Sequence, residues 1–135
     1  MKDTVVIVDD VPGVLDFTCE MLRDRGVSSI LTFSDPATAY QEIARSGCPA
    51  WVITDYNMPE INGVMLLNRL GQLYPDLKGI IITSDPQAVE DNERSYRVVE
   101  KGSREFLEMI MEVGEGDDLG RSIGRDFTCG TPSDD

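Results

Sequence analysis

The stretch Thr4-Val5-Val6-Ile7-Val8-Asp9-Asp10 decides the fold class, because a continuous apolar run ends abruptly in two carboxylates. A second stretch, Trp51-Val52-Ile53-Thr54-Asp55, repeats the arrangement. Apolar runs rich in Val and Ile are typical of parallel strands that are covered on both faces. In an open sheet of such strands, ligands bind at the carboxyl ends. We therefore expect Asp9, Asp10 and Asp55 to meet at one edge of a sheet.

Strands and helices alternate along the rest of the chain, which predicts an α/β fold. We expect a flavodoxin-like, doubly wound, five-stranded parallel sheet in the order 2-1-3-4-5, which makes strands 1 and 3 neighbours. The predicted strands are residues 4–8, 30–33, 50–54, 79–83 and 96–99. Helical spacing of apolar residues follows strands 1, 2, 3 and 5, and Ser103 is predicted to cap the last helix.

The connection between the fourth and fifth predicted strands is short and polar. Asp85-Pro86 resembles a helix cap followed by proline, but only Ala88 and Val89 precede the charged run of residues 90–94. A crossover with its helix needs at least about 10–12 residues, and residues 84–95 barely supply them. We expect the helix in this connection to be short or irregular.

Composition limits the kinds of partner. The net charge is −13 in 135 residues, which argues against direct binding to nucleic acid or to an anionic membrane. The chain has no histidine, which excludes Ser-His-Asp and Cys-His catalysis. The cysteines, Cys19, Cys48 and Cys129, form no CxxC pair, so we expect free thiols and no zinc site.

Length and local composition predict the domain organisation. Residues 1–113 are expected to form one domain, and the acidic, glycine-rich residues 114–135 are expected to be a disordered tail or the stump of a linker. No apolar stretch is long enough for a membrane span, and the N-terminal run is too short for a signal sequence. We therefore expect a cytoplasmic protein.

Two more residues are predicted to join the carboxylates. Thr83 ends the fourth strand and Lys101 follows the fifth, at the same edge of the predicted sheet. Carboxylates repel one another by about 4 kcal/mol per close pair at a moderate effective dielectric, so the cluster needs a positive partner. Mg2+ is held by carboxylates, waters and phosphate oxygens, and a carboxylate can form an aspartyl phosphate. Lys101 and Thr83 would then stabilise charge on the transferring phosphoryl group.

Structural roles are the alternatives for these residues. Asp9 and Asp10 could cap the first helix, and Asp55 could be a turn residue. Thr83 could occupy a strand end through β propensity alone. Lys101 could be an ordinary solvated lysine.

The chain resembles the receiver domain of bacterial two-component response regulators, of the single-domain, chemotaxis-regulator-like kind. The matching residues are Asp9-Asp10, the stretch Asp55-Tyr56-Asn57-Met58-Pro59-Glu60-Ile61-Asn62-Gly63, Ile82-Thr83-Ser84 and Lys101. The resemblance implies that Asp55 accepts a phosphoryl group from a sensor histidine kinase or a histidine phosphotransfer domain. It implies that Asp9, Asp10, Asp55 and the backbone carbonyl of Asn57 hold Mg2+ or Mn2+. It also implies that Lys101 and Thr83 contact the phosphoryl oxygens.

The chain departs from the family pattern at the positions that usually report phosphorylation. Gly102 follows Lys101 where the family usually has a proline with a cis peptide bond. Val98 stands three residues before the lysine, where the family usually has an aromatic residue, and Tyr96 lies nearby. The stretch between Thr83 and Lys101 is also shorter than usual.

Three functions are compatible with this sequence. The first is a stand-alone receiver that signals by phosphorylation-dependent protein contacts and is not a turnover enzyme. The second is a receiver-like binding module, or a phosphate sink, with an uncoupled switch. The third is a phosphatase of the haloacid dehalogenase type, which needs an acid two residues after its nucleophile. Here Val11 and Asn57 occupy that position after Asp9 and Asp55.

Overall fold

The computed structural model describes residues 1–90, 96–115 and 128–130, which form a parallel sheet with helices on both faces. The strands are β1 (Val5–Val8), β2 (Ser29–Phe33), β3 (Trp51–Asp55), β4 (Gly79–Thr83), β5 (Arg97–Glu100) and β6 (Thr128–Gly130). The helices are α1 (Pro12–Asp24), α2 (Pro36–Ser46), α3 (Gly63–Leu73) and α4 (Arg104–Glu115). A short 3-10 turn, Pro86–Ala88, lies between β4 and β5.

The five predicted strands lie in the order β2-β1-β3-β4-β5, which confirms the flavodoxin-like fold. All pairs are parallel, and β1 pairs with both β2 and β3. The register places Val8 beside Thr54, so Asp9 and Asp55 follow at adjacent positions. The central strands therefore bring the predicted carboxylates to one edge of the sheet.

The core has one apolar layer on each face of the sheet. Side chains alternate between the two faces along a strand, so one strand supplies both layers. Ile7, Ile53 and Ile82 pack toward α1 and α4, with Leu22 and Phe106. The other face packs on α2 and α3, whose buried residues include Ile43, Leu66, Leu67 and Leu70. Continuous burial of β1 explains why its sequence lacks polar alternation.

The helices begin where the sequence supplies caps. The Asp35 carboxylate accepts a hydrogen bond from the backbone N–H of Thr38 at 2.9 Å, and Pro36 opens α2. The Asn62 side chain accepts a hydrogen bond from Met65 N–H at 2.9 Å at the start of α3. These caps fix the helix starts that follow the carboxyl ends of β2 and β3.

The connection between β4 and β5 is as short as the sequence predicts. Only the turn Pro86–Ala88 is helical among its described residues. Val89, the residue that follows this turn, is buried. Residues 91–95 lie outside the described part of the chain.

A further short strand lies beside β2. In β6, Thr128–Gly130 pairs in parallel with Ser29–Leu31. The predicted tail, residues 114–135, falls largely outside the described residues; its described parts are the last two residues of α4 and the backbone of β6. No helix in the described ranges is long and apolar enough to cross a membrane.

The expectation of free thiols is correct for one cysteine and wrong for another. Cys48 is a free thiol, whereas Cys19 is disulfide-bonded. The side chain of Cys129 lies outside the described part of the structure. A disulfide bond requires two cysteines that are close in space, and their spacing in the sequence does not give that distance.

Candidate functional site

The carboxyl edge of the sheet gathers three carboxylates. Asp9 directly follows β1, and Asp55 is the last residue of β3. One carboxylate oxygen from each of Asp9, Asp10 and Asp55 lies within 4.8 Å of the others. Asp9 is 0% exposed and Asp55 is 4% exposed, whereas Asp10 is exposed to solvent. The cluster is therefore buried at Asp9 and Asp55 and open to solvent at Asp10.

Lys101 connects the two buried carboxylates. Its Nζ lies 2.9 Å from Asp9 Oδ2 and 3.2 Å from Asp55 Oδ1. Its side chain is only 16% exposed, so the alternative of an ordinary solvated lysine is wrong. One ammonium thus faces three carboxylates, which leaves the cluster with an excess of negative charge.

Asp9 has one oxygen held by the backbone and one held only by charge. Its Oδ1 accepts a hydrogen bond from the backbone N–H of Val11 at 2.9 Å. Its Oδ2 is buried and accepts no hydrogen bond of good geometry; its contact with Lys101 is an ion pair. The residue that caps α1 is Val11, which makes no side-chain cap bond. The capping alternative therefore does not account for the Asp9-Asp10 pair.

An incompletely satisfied buried carboxylate oxygen is a good cation ligand. Buried polar atoms are normally hydrogen-bonded, and exceptions in native structures need an explanation. Asp9 Oδ2 lies inside a cluster of hard oxygen donors, which is the donor set that Mg2+ prefers. The residues present therefore fit a divalent cation.

Thr83 is fully buried at the end of β4. Its Oγ1 accepts a hydrogen bond from the backbone N–H of Asp85 at 3.1 Å. Its carbonyl oxygen accepts a hydrogen bond from the Lys101 backbone N–H at 2.8 Å. Thr83 thus contacts Lys101 through its backbone carbonyl oxygen, and it contacts the turn after β4 through its hydroxyl.

The loop after Asp55 is tied back onto that residue. The backbone N–H of Asn57 donates a hydrogen bond to the Asp55 carboxylate. The backbone N–H of Gly63 bonds to the Tyr56 carbonyl oxygen at 3.0 Å. A Cβ at Gly63 would collide with the Asp55 carbonyl oxygen and would lie 3.1 Å from Thr54 Cγ2. Only glycine lets α3 begin this close to the end of β3.

The environment shifts the protonation of both partners. Burial raises the pKa of Asp55, and the negative charge of Asp9 raises it further, against the opposing effect of Lys101. Burial alone would lower the pKa of Lys101, but its contacts with Asp9 and Asp55 outweigh burial and raise the pKa. Asp55 is thus a carboxylate whose negative charge is stabilised mainly by the lysine beside it.

We expect the Asp55 carboxyl, in cation-free buffer, to titrate above the ordinary value of 3.8. Lys101→Ala should move the midpoint higher still, since it removes the positive charge that opposes protonation. As the pH falls through this midpoint, protons replace bound cations and cation affinity falls. Carbon-13 NMR of the Asp55 carboxyl carbon measures the midpoint. Lys78→Ala, beside Trp51 at the opposite edge, should leave it unchanged, and a midpoint insensitive to Lys101→Ala contradicts the assignment.

The predicted site residues lie at the same edge, although their chemical roles stay predictions. Asp9, Asp10, Asp55 and Lys101 are in one cluster, while Thr83 contacts that cluster through the backbone of Lys101. The sequence did not reveal that Lys101 contacts both Asp9 and Asp55, and Gly102, directly after the lysine, is the only local signal for that placement. It also missed the close approach of Gly63 to Asp55, for which a glycine directly before an apolar helix is the available signal.

Sequence comparisons identify the family. The model of the response regulator receiver domain matches residues 5–116. The transcriptional regulatory protein FixJ of Rhizobium meliloti is 33% identical over 113 residues, which cover 81% of this chain and 50% of FixJ. The transcription regulator BvgA of Bordetella pertussis is 28% identical over 89 residues, which cover 66% of this chain and 42% of BvgA. The chain spans half or less of the length of these relatives.

Structural comparison agrees with this assignment. The response regulator protein TrrA of Thermotoga maritima, solved in complex with Mg2+ and beryllofluoride, superposes with a TM-score of 0.72 at 26% identity. The match covers 85% of this chain and 98% of TrrA. With its fold, its acidic edge and the family match over residues 5–116, the chain belongs to the response regulator receiver domain family.

Proposed function

We propose that Asp55 accepts a phosphoryl group from the histidine of a sensor kinase or of a histidine phosphotransfer domain. The modified protein then signals in the cytoplasm through phosphorylation-dependent contacts with another protein. One observation carries the proposal: the Lys101 ammonium lies 3.2 Å from Asp55 Oδ1 and 2.9 Å from Asp9 Oδ2 in a buried acidic cluster. A nucleophile and a cation for phosphoryl oxygens are thus already side by side.

In the transfer, an Asp55 carboxylate oxygen attacks the phosphorus of the donor. A new P–O bond forms while the P–N bond to the donor imidazole breaks, and the released imidazole nitrogen keeps the electron pair. The phosphoryl group brings additional negative charge into an edge that is already acidic. Lys101 is positioned to exchange its contact with Asp55 for a contact with a phosphoryl oxygen.

Thr83 is suited to a second contact with the phosphoryl group. Its Oγ1 is an acceptor in the hydrogen bond from Asp85 N–H, so its own proton is available for donation. If the hydroxyl moves to make this contact, its hydrogen bond with Asp85 N–H, and with it the start of the turn after β4, would change.

The ligands for Mg2+ or Mn2+ would be Asp9, Asp10, Asp55 and the backbone carbonyl of Asn57. The fit rests on the carboxylate cluster and on the incompletely satisfied Asp9 Oδ2. A bound cation would neutralise negative charge on the carboxylates and on the phosphoryl oxygens. TrrA, a relative by structure, was solved with Mg2+ and beryllofluoride.

The proposal excludes a turnover enzyme. A phosphatase of the haloacid dehalogenase type needs an acid two residues after its nucleophile. Val11 and Asn57 stand at that distance from Asp9 and Asp55, and neither carries a carboxylate. The proposal also excludes direct binding to nucleic acid or membranes, which the net charge of −13 disfavours.

We expect acetyl phosphate to add one phosphoryl group to the protein only when Mg2+ is present. Removal of the cation with EDTA should abolish the addition, because the excess carboxylates then repel the phosphodonor. Intact-mass spectrometry detects the addition, and borohydride trapping followed by peptide sequencing locates it. Label on a residue other than Asp55, or equal labelling in EDTA, would overturn the proposal.

The second candidate, a binding module or phosphate sink with an uncoupled switch, is favoured by the environment of Tyr96. The Tyr96 hydroxyl donates a hydrogen bond to the Leu67 carbonyl oxygen at 3.2 Å, and Gly71 leaves room for the ring. Tyr96 is thus fixed against α3, while Val98 occupies the family's usual aromatic position. Unchanged amide NMR signals in β5 after addition of Mg2+ and beryllofluoride would favour this candidate, and large shifts would reject it.

A further inference from the structure

We propose that Gly102 is a positioning residue, whose left-handed backbone conformation holds the Lys101 ammonium between Asp9 and Asp55. Gly102 has φ +75°, a conformation that residues with a Cβ rarely adopt. This inference rests on the proposed function, in which the Lys101 ammonium binds the phosphoryl oxygens. It adds that Gly102, a residue outside the carboxylate cluster, sets the position of that ammonium.

Lys101 is held on both sides of its own backbone. Before its side chain, the Lys101 N–H donates to the Thr83 carbonyl oxygen at 2.8 Å. After it, a four-residue turn from Glu100 to Ser103 is closed by a hydrogen bond from Ser103 N–H to the Glu100 carbonyl oxygen at 3.2 Å. Gly102 is the third residue of this turn, the position at which a type II turn requires a positive φ.

Ser103 links the turn to α4. Its hydroxyl donates to the Glu100 carbonyl oxygen at 2.7 Å and accepts from the Phe106 backbone N–H at 3.2 Å. The start of α4 is therefore fixed relative to β5 through the same turn. With both flanks fixed, the backbone conformation at Gly102 determines the direction in which the Lys101 side chain leaves the chain.

The described peptide bonds include no cis bond, so this chain positions its lysine with a trans backbone. A Cβ added at Gly102 would meet no atom within 4 Å. A substitution here therefore acts through backbone conformation and introduces no steric clash. This property makes the role of Gly102 directly testable.

The matched control is Gly47, which ends α2 with φ +107°. A Cβ there would have its nearest neighbour, Met1 N, at 3.9 Å, so Gly47→Ala is also strained only in its backbone. Gly47 precedes β3 and lies at the amino edge of the sheet, opposite Lys101. Gly102→Asn is the conservative variant, because Asn tolerates the left-handed region better than Ala.

The first readout is the rate of labelling by acetyl phosphate with Mg2+. Gly102→Ala should lower the rate about fivefold, the order expected from one left-handed alanine. Gly102→Asn should retain most of the rate. Gly47→Ala should retain all of it while losing at least as much thermal stability, because the Gly47 backbone, with φ 107° and ψ 174°, lies in a region that is essentially restricted to glycine. In a Lys101→Ala background, Gly102→Ala should have no further effect, because the two residues act as one unit.

The second readout does not depend on phosphorylation. Lys101 should react several-fold faster with an amine-acylating reagent in Gly102→Ala than in the parent, and at the parent rate in Gly47→Ala. Unchanged Lys101 reactivity together with an unchanged labelling rate in Gly102→Ala would overturn the proposal. An equal loss of rate in Gly47→Ala, or a further loss in the Lys101→Ala background, would also overturn it. If the parent itself accepts no label, the proposed function fails, while the acylation readout still tests Gly102.

Discussion

Asp55→Asn is expected to abolish labelling by acetyl phosphate, with a loss of more than about a thousandfold. The substitution keeps the shape of the side chain and removes the nucleophilic oxygen anion. The phosphoryl group then has no acceptor, although Lys101 and Asp9 remain in place. Intact-mass spectrometry after incubation with Mg2+ and acetyl phosphate measures the loss.

The same variant should be more stable than the parent in buffer without divalent cations. Burial and Asp9 raise the pKa of Asp55, so its ionised form is less stable in the folded protein than in the unfolded chain. The neutral amide avoids that cost, and we expect a gain of about 1 kcal/mol in the free energy of unfolding. Loss of labelling with a gain in stability separates a missing acceptor from a misfolded protein.

The control for charge is Asp16→Asn, on the exposed side of α1. It removes one carboxylate and should retain full labelling, since Asp16 lies outside the cluster. If Asp55→Asn is labelled as fast as the parent, Asp55 is not the acceptor. If Asp16→Asn loses labelling as well, the effect belongs to overall charge and not to the site.

Gly63→Ala is expected to lower the free energy of unfolding by about 3 kcal/mol, at the upper end of the cost of overpacking. The added methyl group would collide with the Asp55 carbonyl oxygen. Backbone cannot give way as a flexible side chain can, so either α3 or the end of β3 must shift. Urea unfolding followed by circular dichroism measures the change.

The matched variant is Gly13→Ala, in the first turn of α1. A Cβ at Gly13 would meet no atom within 4 Å. Alanine is a better helix former than glycine, so this variant should be neutral or gain about 0.5 kcal/mol. Equal stability of the Gly63→Ala and Gly13→Ala proteins would show that α3 does not depend on the close approach to β3.

The edge cluster was predictable because apolar runs fix where strands end. The run before Asp9 and the run before Asp55 are buried on both faces, so their ends mark the edge of the sheet. The short turn at Pro86–Ala88 was predictable from chain length alone. Both inferences rest on local sequence: the strand ends on the apolar run just before each aspartate, and the short turn on the number of residues between β4 and β5.

Contacts that depend on backbone position in space could not be predicted. The pairing of β6 with β2 uses main-chain hydrogen bonds at a sheet edge, which need no apolar periodicity. The two contacts of Lys101 depend on a turn whose geometry the sequence indicates only through Gly102. The disulfide bond of Cys19 likewise depends on a distance in space that sequence spacing does not encode.

The hydrogen bond between Thr83 and Asp85 limits how strongly the turn can respond to Asp55. A hydrogen bond between neutral groups contributes about 1 kcal/mol net, which corresponds to roughly a fivefold change in an equilibrium constant. If this bond is the connection through which the proposed phosphoryl group acts on Pro86–Ala88, one modification changes the conformational equilibrium constant of the turn by only that factor. Moving a two-state equilibrium from 1:99 to 99:1 takes about a 10⁴-fold change, so a receiver coupled in this way would shift its turn only partly when it is modified.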